Sequence, residues 1–368
     1  MIVSENLPVS LLIPGVITAA LAVLIVMTKQ WHGKHSFDHY DGAQKFHVVP
    51  TPRVGGIAII SGMVAACFLS SEPVSKLLIL MLIAALPAFV AGLMEDLTKV
   101  VKIRDRLLAT LLSGTLAWWL TGYTLNHIDI APVDYFLAYV PASLAFTAFA
   151  VGGVANSINI IDGFNGLASG TIMICFAAFA LIALQAGDVQ LAQLCVVFIF
   201  VTAGFFVVNF PFGKIFMGDG GAYLLGFMLA WVAVMLPSRN STISVWAPLL
   251  VCSYPVLETV FSMWRRHHRS GQHPGQADSL HLHSLIYCRV SRVVFRKAKP
   301  QLKNAVTSSF IWPLPLLSAG VATLWFSNTT VMIGGIVVCA LVYRLVYLRL
   351  TQFVWCLRPS TLNHKYLE

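Results

Sequence analysis

Five short polar clusters interrupt an otherwise apolar chain, and their residue types suit phosphate and divalent-cation chemistry. In residues 44–56, Lys45, His47 and Arg53 offer cations to a phosphate, Pro50 and Pro52 stiffen the loop, and Gly55-Gly56 lets the chain turn closely into the next helix. A basic loop beside anionic lipid accounts for the same bases. In residues 92–99, adjacent Glu95 and Asp96 at a helix end can hold a magnesium ion that also binds substrate phosphates. A solvated acidic end paired with Lys99 and Lys102 is the plainer account. Asn156, Asn159 and Asp162 fall near one face if their helix runs as far as Asp162, after which Gly163 and Gly166 break it. Two amides and an acid at the edge of an apolar bundle are hard to explain as packing. Asn209 opens the fourth cluster, which ends in Asp219 on a glycine-flanked turn; Asp219 can cap the following helix, ligate a metal, or do both. The fifth cluster, residues 278–283, carries His281 and His283. Two histidines at this spacing without cysteines support zinc only weakly, and contact with a diphosphate fits equally well.

The elements that position these clusters follow from composition. Hydrophobic residues make up 58% of the 368 and charged residues only 11%, against about 25% charged in a soluble domain. Too little charge remains to coat a water-facing surface. Apolar stretches suited to membrane crossing recur at about 8–28, 54–71, 75–94, 107–123, 136–156, 166–185, 189–209, 220–237, 244–264, 307–327 and 329–350. Helices satisfy their own backbone groups in lipid, so the expectation is an all-α polytopic transmembrane helical bundle of about eleven spans. The first stretch lacks a basic leader and a clear cleavage site and reads as a retained span. Residues 1–368 then form a single domain with a basic, partly helical cytoplasmic loop at about 265–305. The cysteines show no metal or disulfide spacing.

Net charge is +9, but the bases lie in short segments between apolar runs and make no basic face for nucleic acid. With the N-terminus outside, the inner loops hold Lys29, Lys34, Lys45, Arg53, Lys99, Lys102, Arg104, Arg106, Lys214 and the bases of 265–305. The outer loops hold only Lys76 and Arg239. That asymmetry predicts an outside N-terminus, a cytoplasmic C-terminus, and all five clusters on the inner face.

Together the clusters are far more specific than any one of them. Their order, H-x-x-P-T-P-R-x-G-G, E-D-x-x-K, N-x-x-N-x-x-D-G-x-N-G, N-x-P-x-x-x-x-x-M-G-D-G and D-x-x-H-x-H, resembles the polyprenyl-phosphate N-acetylhexosamine-1-phosphate transferases. The resemblance runs from about residue 44 to 284. It implies an enzyme of a bacterial inner membrane in which a polyprenyl phosphate attacks the β-phosphorus of a UDP-sugar and releases UMP. It further implies magnesium, with manganese as a substitute, on Asp219. Asp96 would lie near the acceptor phosphate as base or electrostatic organiser, beside Glu95, with Asp162, Asn156, Asn159 and Asn209 around the donor. His281 and His283 would contact the diphosphate, while Lys45, His47, Arg53 and Lys99 would support either substrate. The apolar helix faces leave room for a homodimer.

Three departures bear on the substrate. Glu95 replaces the first acid of the usual Asp-Asp pair, and its extra methylene moves the carboxylate outward. Asn165 stands where the peptidoglycan branch carries a second acid, and His-Leu-His-Ser lacks that branch's triple histidine. These point to an N-acetylhexosamine or 6-deoxy-N-acetylhexosamine donor and to initiation of surface polysaccharide or O-antigen. The competing class is a transporter or flippase, whose acids would sit near the bilayer midplane in broken helices.

Overall fold

A computed structural model describes residues 9–38, 50–268 and 280–352. After a turn of 3-10 helix at Val9–Leu11, the chain runs through α1 (Ile13–Met27) and α2 (Lys29–Ser36). A short ribbon follows, β1 (Phe37–Asp38) antiparallel to β2 (Thr51–Pro52). Then come α3 (Gly55–Leu69), α4 (Glu72–Thr98), α5 (Ile103–Thr121), α6 (Ala131–Leu137), α7 (Val140–Ile161), α8 (Leu167–Gln185), α9 (Val189–Asn209) and α10 (Gly218–Arg239). The last third holds α11 (Ala247–Val251), α12 (Ser253–His267), α13 (Leu282–Ile286), a π-helical turn at Tyr287–Ser291, α14 (Arg292–Val294), α15 (Pro300–Ile311), α16 (Pro313–Trp325) and α17 (Thr329–Thr351).

Helices lie on each of the eleven apolar stretches, but fewer are long and apolar enough to cross a bilayer. Among the described residues seven qualify, or eight if α1 and α2 count as one span bent by 88°. The shortfall has local causes. Helix α3 has 15 residues, about 22 Å at 1.5 Å per residue, against a hydrocarbon core of roughly 30 Å. Helix α5 opens on Arg104, Asp105 and Arg106, and the ninth stretch is broken at Cys252 between α11 and α12. The expected polar loop after α12 is helical from Leu282 to Ile286, and all five residues there are buried.

Helix α10 is the axis of the bundle. Nearly its whole length is buried, because α4 and α7 pack against it from two sides. Its small residues permit this approach. A Cβ added at Gly226 would lie 2.8 Å from the Ala155 Cα of α7, inside any tolerable contact. The core around it is apolar and continuous, including Phe227, Trp231, Phe176, Phe198 and Phe205.

Chain direction gathers the polar clusters at one end of the bundle. There α4, α7, α9 and α12 finish and α3, α5, α8 and α10 begin, as shown by links from Gly55 to Phe216, Gly166 to Asn209, and Asp219 to Asp96. At the opposite end Arg239 closes α10 on Asp188, the N-cap of α9, with Nε to Oδ2 at 2.6 Å and Nη2 to Oδ1 at 2.9 Å. The Tyr123 hydroxyl accepts from Arg239 at 3.1 Å.

Candidate active site

The site begins at the free N-terminus of α10. The first amides of a helix lack intrahelical acceptors and carry partial positive charge. Met217, at the cap position, offers no side-chain acceptor. Asp96, near the end of α4, supplies it from another helix: Oδ1 accepts the Asp219 amide and Oδ2 the Gly220 amide, both at 2.8 Å. This close docking requires Gly218, whose φ is +75° and whose added Cβ would lie 2.5 Å from both Asp96 Oδ2 and the Arg53 carbonyl. Asp219 therefore does not cap α10. It sits inside the first turn, almost fully buried, with its carboxylate turned to other partners.

Those partners are basic. Arg53 Nη2 donates to Asp219 Oδ1 and Arg106 Nη1 to Oδ2, while the Asn159 amide donates to Oδ1 at 3.1 Å. Arg53 also bridges to Asp96, Nε to Oδ1 at 3.3 Å. Two buried carboxylates are thus neutralised by two guanidiniums drawn from distant parts of the chain, as buried charge requires. Arg53 reaches them because residues 51–56 are stitched to the turn before α10. The Pro52 carbonyl accepts from Phe216 at 2.8 Å, and the Gly55 and Gly56 amides donate to Phe216 and Met217 carbonyls at 3.0 and 2.9 Å. The glycine pair makes the close entry expected of it.

The structure brings Arg53, Asp96, Asn159 and Asp219 into direct contact, with Asn156 one helical turn away. The Asn156 amide donates to Thr110 Oγ1 at 3.3 Å and the Gly152 carbonyl at 2.7 Å, and its oxygen accepts from the Tyr223 hydroxyl at 3.3 Å. It ties α7 to α5 and α10. Asp162 follows the last residue of α7, as the pattern predicts, and is partly buried. Desolvation pushes its carboxyl up to about 8, against the pull of Arg53 and with a push from Asp96. Glu95 is half-buried, and its Oε2 has no hydrogen-bond partner among the described residues. Lys99 ends α4 in a left-handed conformation at φ 59° and is exposed.

Asn209 is used differently from the expectation that it meets the donor. Its oxygen accepts the Gly166 amide and its nitrogen donates to the Ile215 carbonyl, both at 2.7 Å, so the side chain positions two loops. His281 and His283 are buried and stacked at 5.1 Å, and His283 lies edge-on to Phe164, two residues past Asp162. They border the third cluster. Lys45 and His47 lie outside the described residues.

Nothing in the sequence distinguishes Arg106 from its basic neighbours. It stands among several bases before the fourth apolar stretch, where the inner-loop charge bias already accounts for them. The signal was its place on the first turn of a helix packed beside α4 and α10.

Among the described residues no three His, Cys, Asp or Glu side chains stand close enough to share an ion. The donor set still suits magnesium, which binds through one or two carboxylates and completes its shell with water and substrate phosphates. Asp219 is such a hard oxygen donor, and its present cationic partners are groups that can turn to phosphate instead.

A multi-helix apolar bundle with an acid, amide and guanidinium centre at one end defines a multi-pass membrane protein with a polar site at the helix ends. The sequence pattern of glycosyl transferase family 4 matches residues 78–237, which include Asp96, Asp162 and Asp219. Similar proteins include the undecaprenyl-phosphate alpha-N-acetylglucosaminyl 1-phosphate transferase of Yersinia pestis, 28% identical over 66% of this chain and 67% of its own length. A probable undecaprenyl-phosphate N-acetylglucosaminyl 1-phosphate transferase of Bacillus subtilis is 29% identical over 61% of this chain and 62% of its own length. The decaprenyl-phosphate N-acetylglucosaminephosphotransferase of Mycobacterium tuberculosis is 27% identical over 77% of this chain and 81% of its own. Over residues 78–237 the chain is thus similar to glycosyl transferase family 4.

Proposed function

We propose that this protein transfers a sugar-1-phosphate from a UDP-sugar to a polyprenyl phosphate, releasing UMP. The observation that carries this reading is the joining of Asp96 and Asp219 to Arg53, Arg106 and Asn159 at one end of an apolar bundle. A lipid phosphate and a soluble nucleotide meet only at such an interface. A transporter would place its acids in broken helices at mid-depth, whereas these stand at helix ends. The names of the similar proteins give the acceptor class and an N-acetylhexosamine phosphate as the group moved.

In the reaction, an oxygen of the acceptor phosphate attacks the β-phosphorus of the donor. The bond from that phosphorus to the UMP oxygen breaks, leaving a lipid diphosphate sugar. A lipid phosphate is largely ionised near neutral pH, so no strong base is needed. Asp96, with both oxygens accepting backbone amides and Oδ1 also facing Arg53, acts as an electrostatic organiser. Arg53 and Arg106 turn their guanidiniums to the phosphates, where fork geometry fits the oxygens. Asn156, Asn159 and Asp162 line the donor side, with His281 and His283 toward the diphosphate. Asp219 would hold magnesium or manganese, with Glu95 nearby; when bound, the ion supplies charge neutralisation for the diphosphate and for departing UMP.

The positive-inside charge asymmetry supports placing this end in the cytoplasm of a bacterial inner membrane. Asn165 and the His-Leu-His-Ser sequence favour a simple or 6-deoxy N-acetylhexosamine and a role in initiating surface polysaccharide or O-antigen. The test is direct. Purified protein given undecaprenyl phosphate and UDP-N-acetylglucosamine, then a panel of other UDP-sugars, should release UMP only with magnesium or manganese. Absence of UMP release with every donor would sink the reading.

A further inference from the structure

Glu258 of α12 has no solvent exposure, and its hydrogen bonds run to the segment that carries His281. An ionised acid at such depth needs polar partners. Its Oε1 accepts Nδ1–H of His281 at 2.9 Å. The Leu282 amide, which opens α13, donates to Oε1 and Oε2 at 3.2 and 3.3 Å. Further along α12, Arg265 Nη1 donates to the Leu280 carbonyl at 2.8 Å and to the Tyr347 hydroxyl of α17 at 2.9 Å. Helix α12 thereby grips residues 280–282 in succession and fixes where the histidine pair stands. The phenols of Tyr254 and Tyr343 and the imidazole of His283 are the other titratable groups facing Glu258.

A neutral imidazole has one donating and one accepting nitrogen, and the bond made by one sets the state of the other. With Nδ1–H committed to Glu258, Nε2 is the ring nitrogen left for substrate, and it donates to a phosphate oxygen when the ring holds both protons. We propose that Glu258 is a positioning residue for His281, holding its Nε2 toward the donor diphosphate; this rests on the phosphosugar-transfer reading above.

The experiment uses the full chain in lipid nanodiscs, with E258Q, H281A and the double variant. E258Q keeps the size of the side chain but loses its charge. It should lower kcat/KM by about 10–100-fold, the range for a residue that orients a functional histidine. In the H281A background the same change should cost less than about 3-fold, since coupled residues are not additive. Nitrogen NMR of ring-labelled histidine, assigned with H281A, should show wild-type His281 protonated at Nδ1 and altered in E258Q. Full multiplication of the two single effects would overturn the proposal, as would a wild-type His281 carrying its proton on Nε2 alone. The wild-type spectrum decides the link even if E258Q does not accumulate. If no donor is turned over, the transfer reading falls, while the spectrum still reports whether Glu258 holds the ring.

Discussion

At the residue scale, Asp219 and Arg106 carry the sharpest consequences. Asp219→Asn removes the charge that two guanidiniums now share and that a metal ion would need. Turnover should fall by on the order of 10²–10³-fold or more, as when one electrostatic stabiliser is lost, with the protein still monodisperse by size exclusion. Near-normal UMP release would refute the assignment. Arg106→Ala should lower kcat/KM for the donor by about 10–100-fold, the worth of a charged hydrogen bond. Arg106→Lys should recover only part, because an ammonium lacks the fork; full recovery would show that charge alone matters. The acids of this centre were legible because Asp96, Asp162 and Asp219 break an apolar sequence. Arg106 was not, since a base in a basic loop draws no notice. Glu258 offers the same signal as Asp96, an acid within the 244–264 stretch, but no motif surrounds it. What no spacing discloses is that Asn209 spends both ends of its amide on backbone.

At the scale of elements, the site depends on how α10 begins and on how closely its neighbours approach. Asp96→Asn replaces one amide acceptor with a donor facing the α10 N-terminus. It should cost roughly 1–3 kcal/mol, the penalty of an unsatisfied buried group, measured by thermal unfolding in detergent. An unchanged midpoint would argue against Asp96 as the cap of α10. Gly226→Val should cost about 1–3 kcal/mol by overpacking the crossing of α7 and α10, read by the same assay. Hydropathy located the helices because bilayer thickness imposes a length that sequence displays directly. Composition does not display where a stretch is too short or broken: α3 has 15 residues and the ninth stretch is interrupted at Cys252, so among the described residues seven helices, or eight with the bent α1–α2 pair, are long and apolar enough to span.

At the scale of the whole molecule, the end remote from the site is held by Arg239 and Asp188. Burial raises the Asp188 carboxyl, but the Arg239 bonds and the Leu191 amide pull it further down, so the net shift is below the ordinary range. A depressed carboxyl stabilises the fold fully above its unfolded value, near 3.9, and loses that contribution as pH falls through the folded one. Asp188→Asn should therefore cost roughly 1–3 kcal/mol at neutral pH, and the gap to wild type should narrow as the buffer is taken to pH ~3. A gap independent of pH would show that the carboxylate charge contributes nothing. The acid centre at the other end draws Arg53, Asp96, Arg106, Asn159 and Asp219 from separate parts of the chain, and the α10 amides that Asp96 accepts lie 123 and 124 positions further along it. A ribosome delivers these residues in order. Through the interval α4 is in the bilayer with an acid that can meet Arg53 but not yet the α10 amides, and α5 arrives with Arg106, whose partner Asp219 has not been synthesised. A nascent chain stopped before Gly218 therefore leaves Arg106 without its carboxylate and Asp96 without the two amides it accepts, so the centre closes only once α10 has begun.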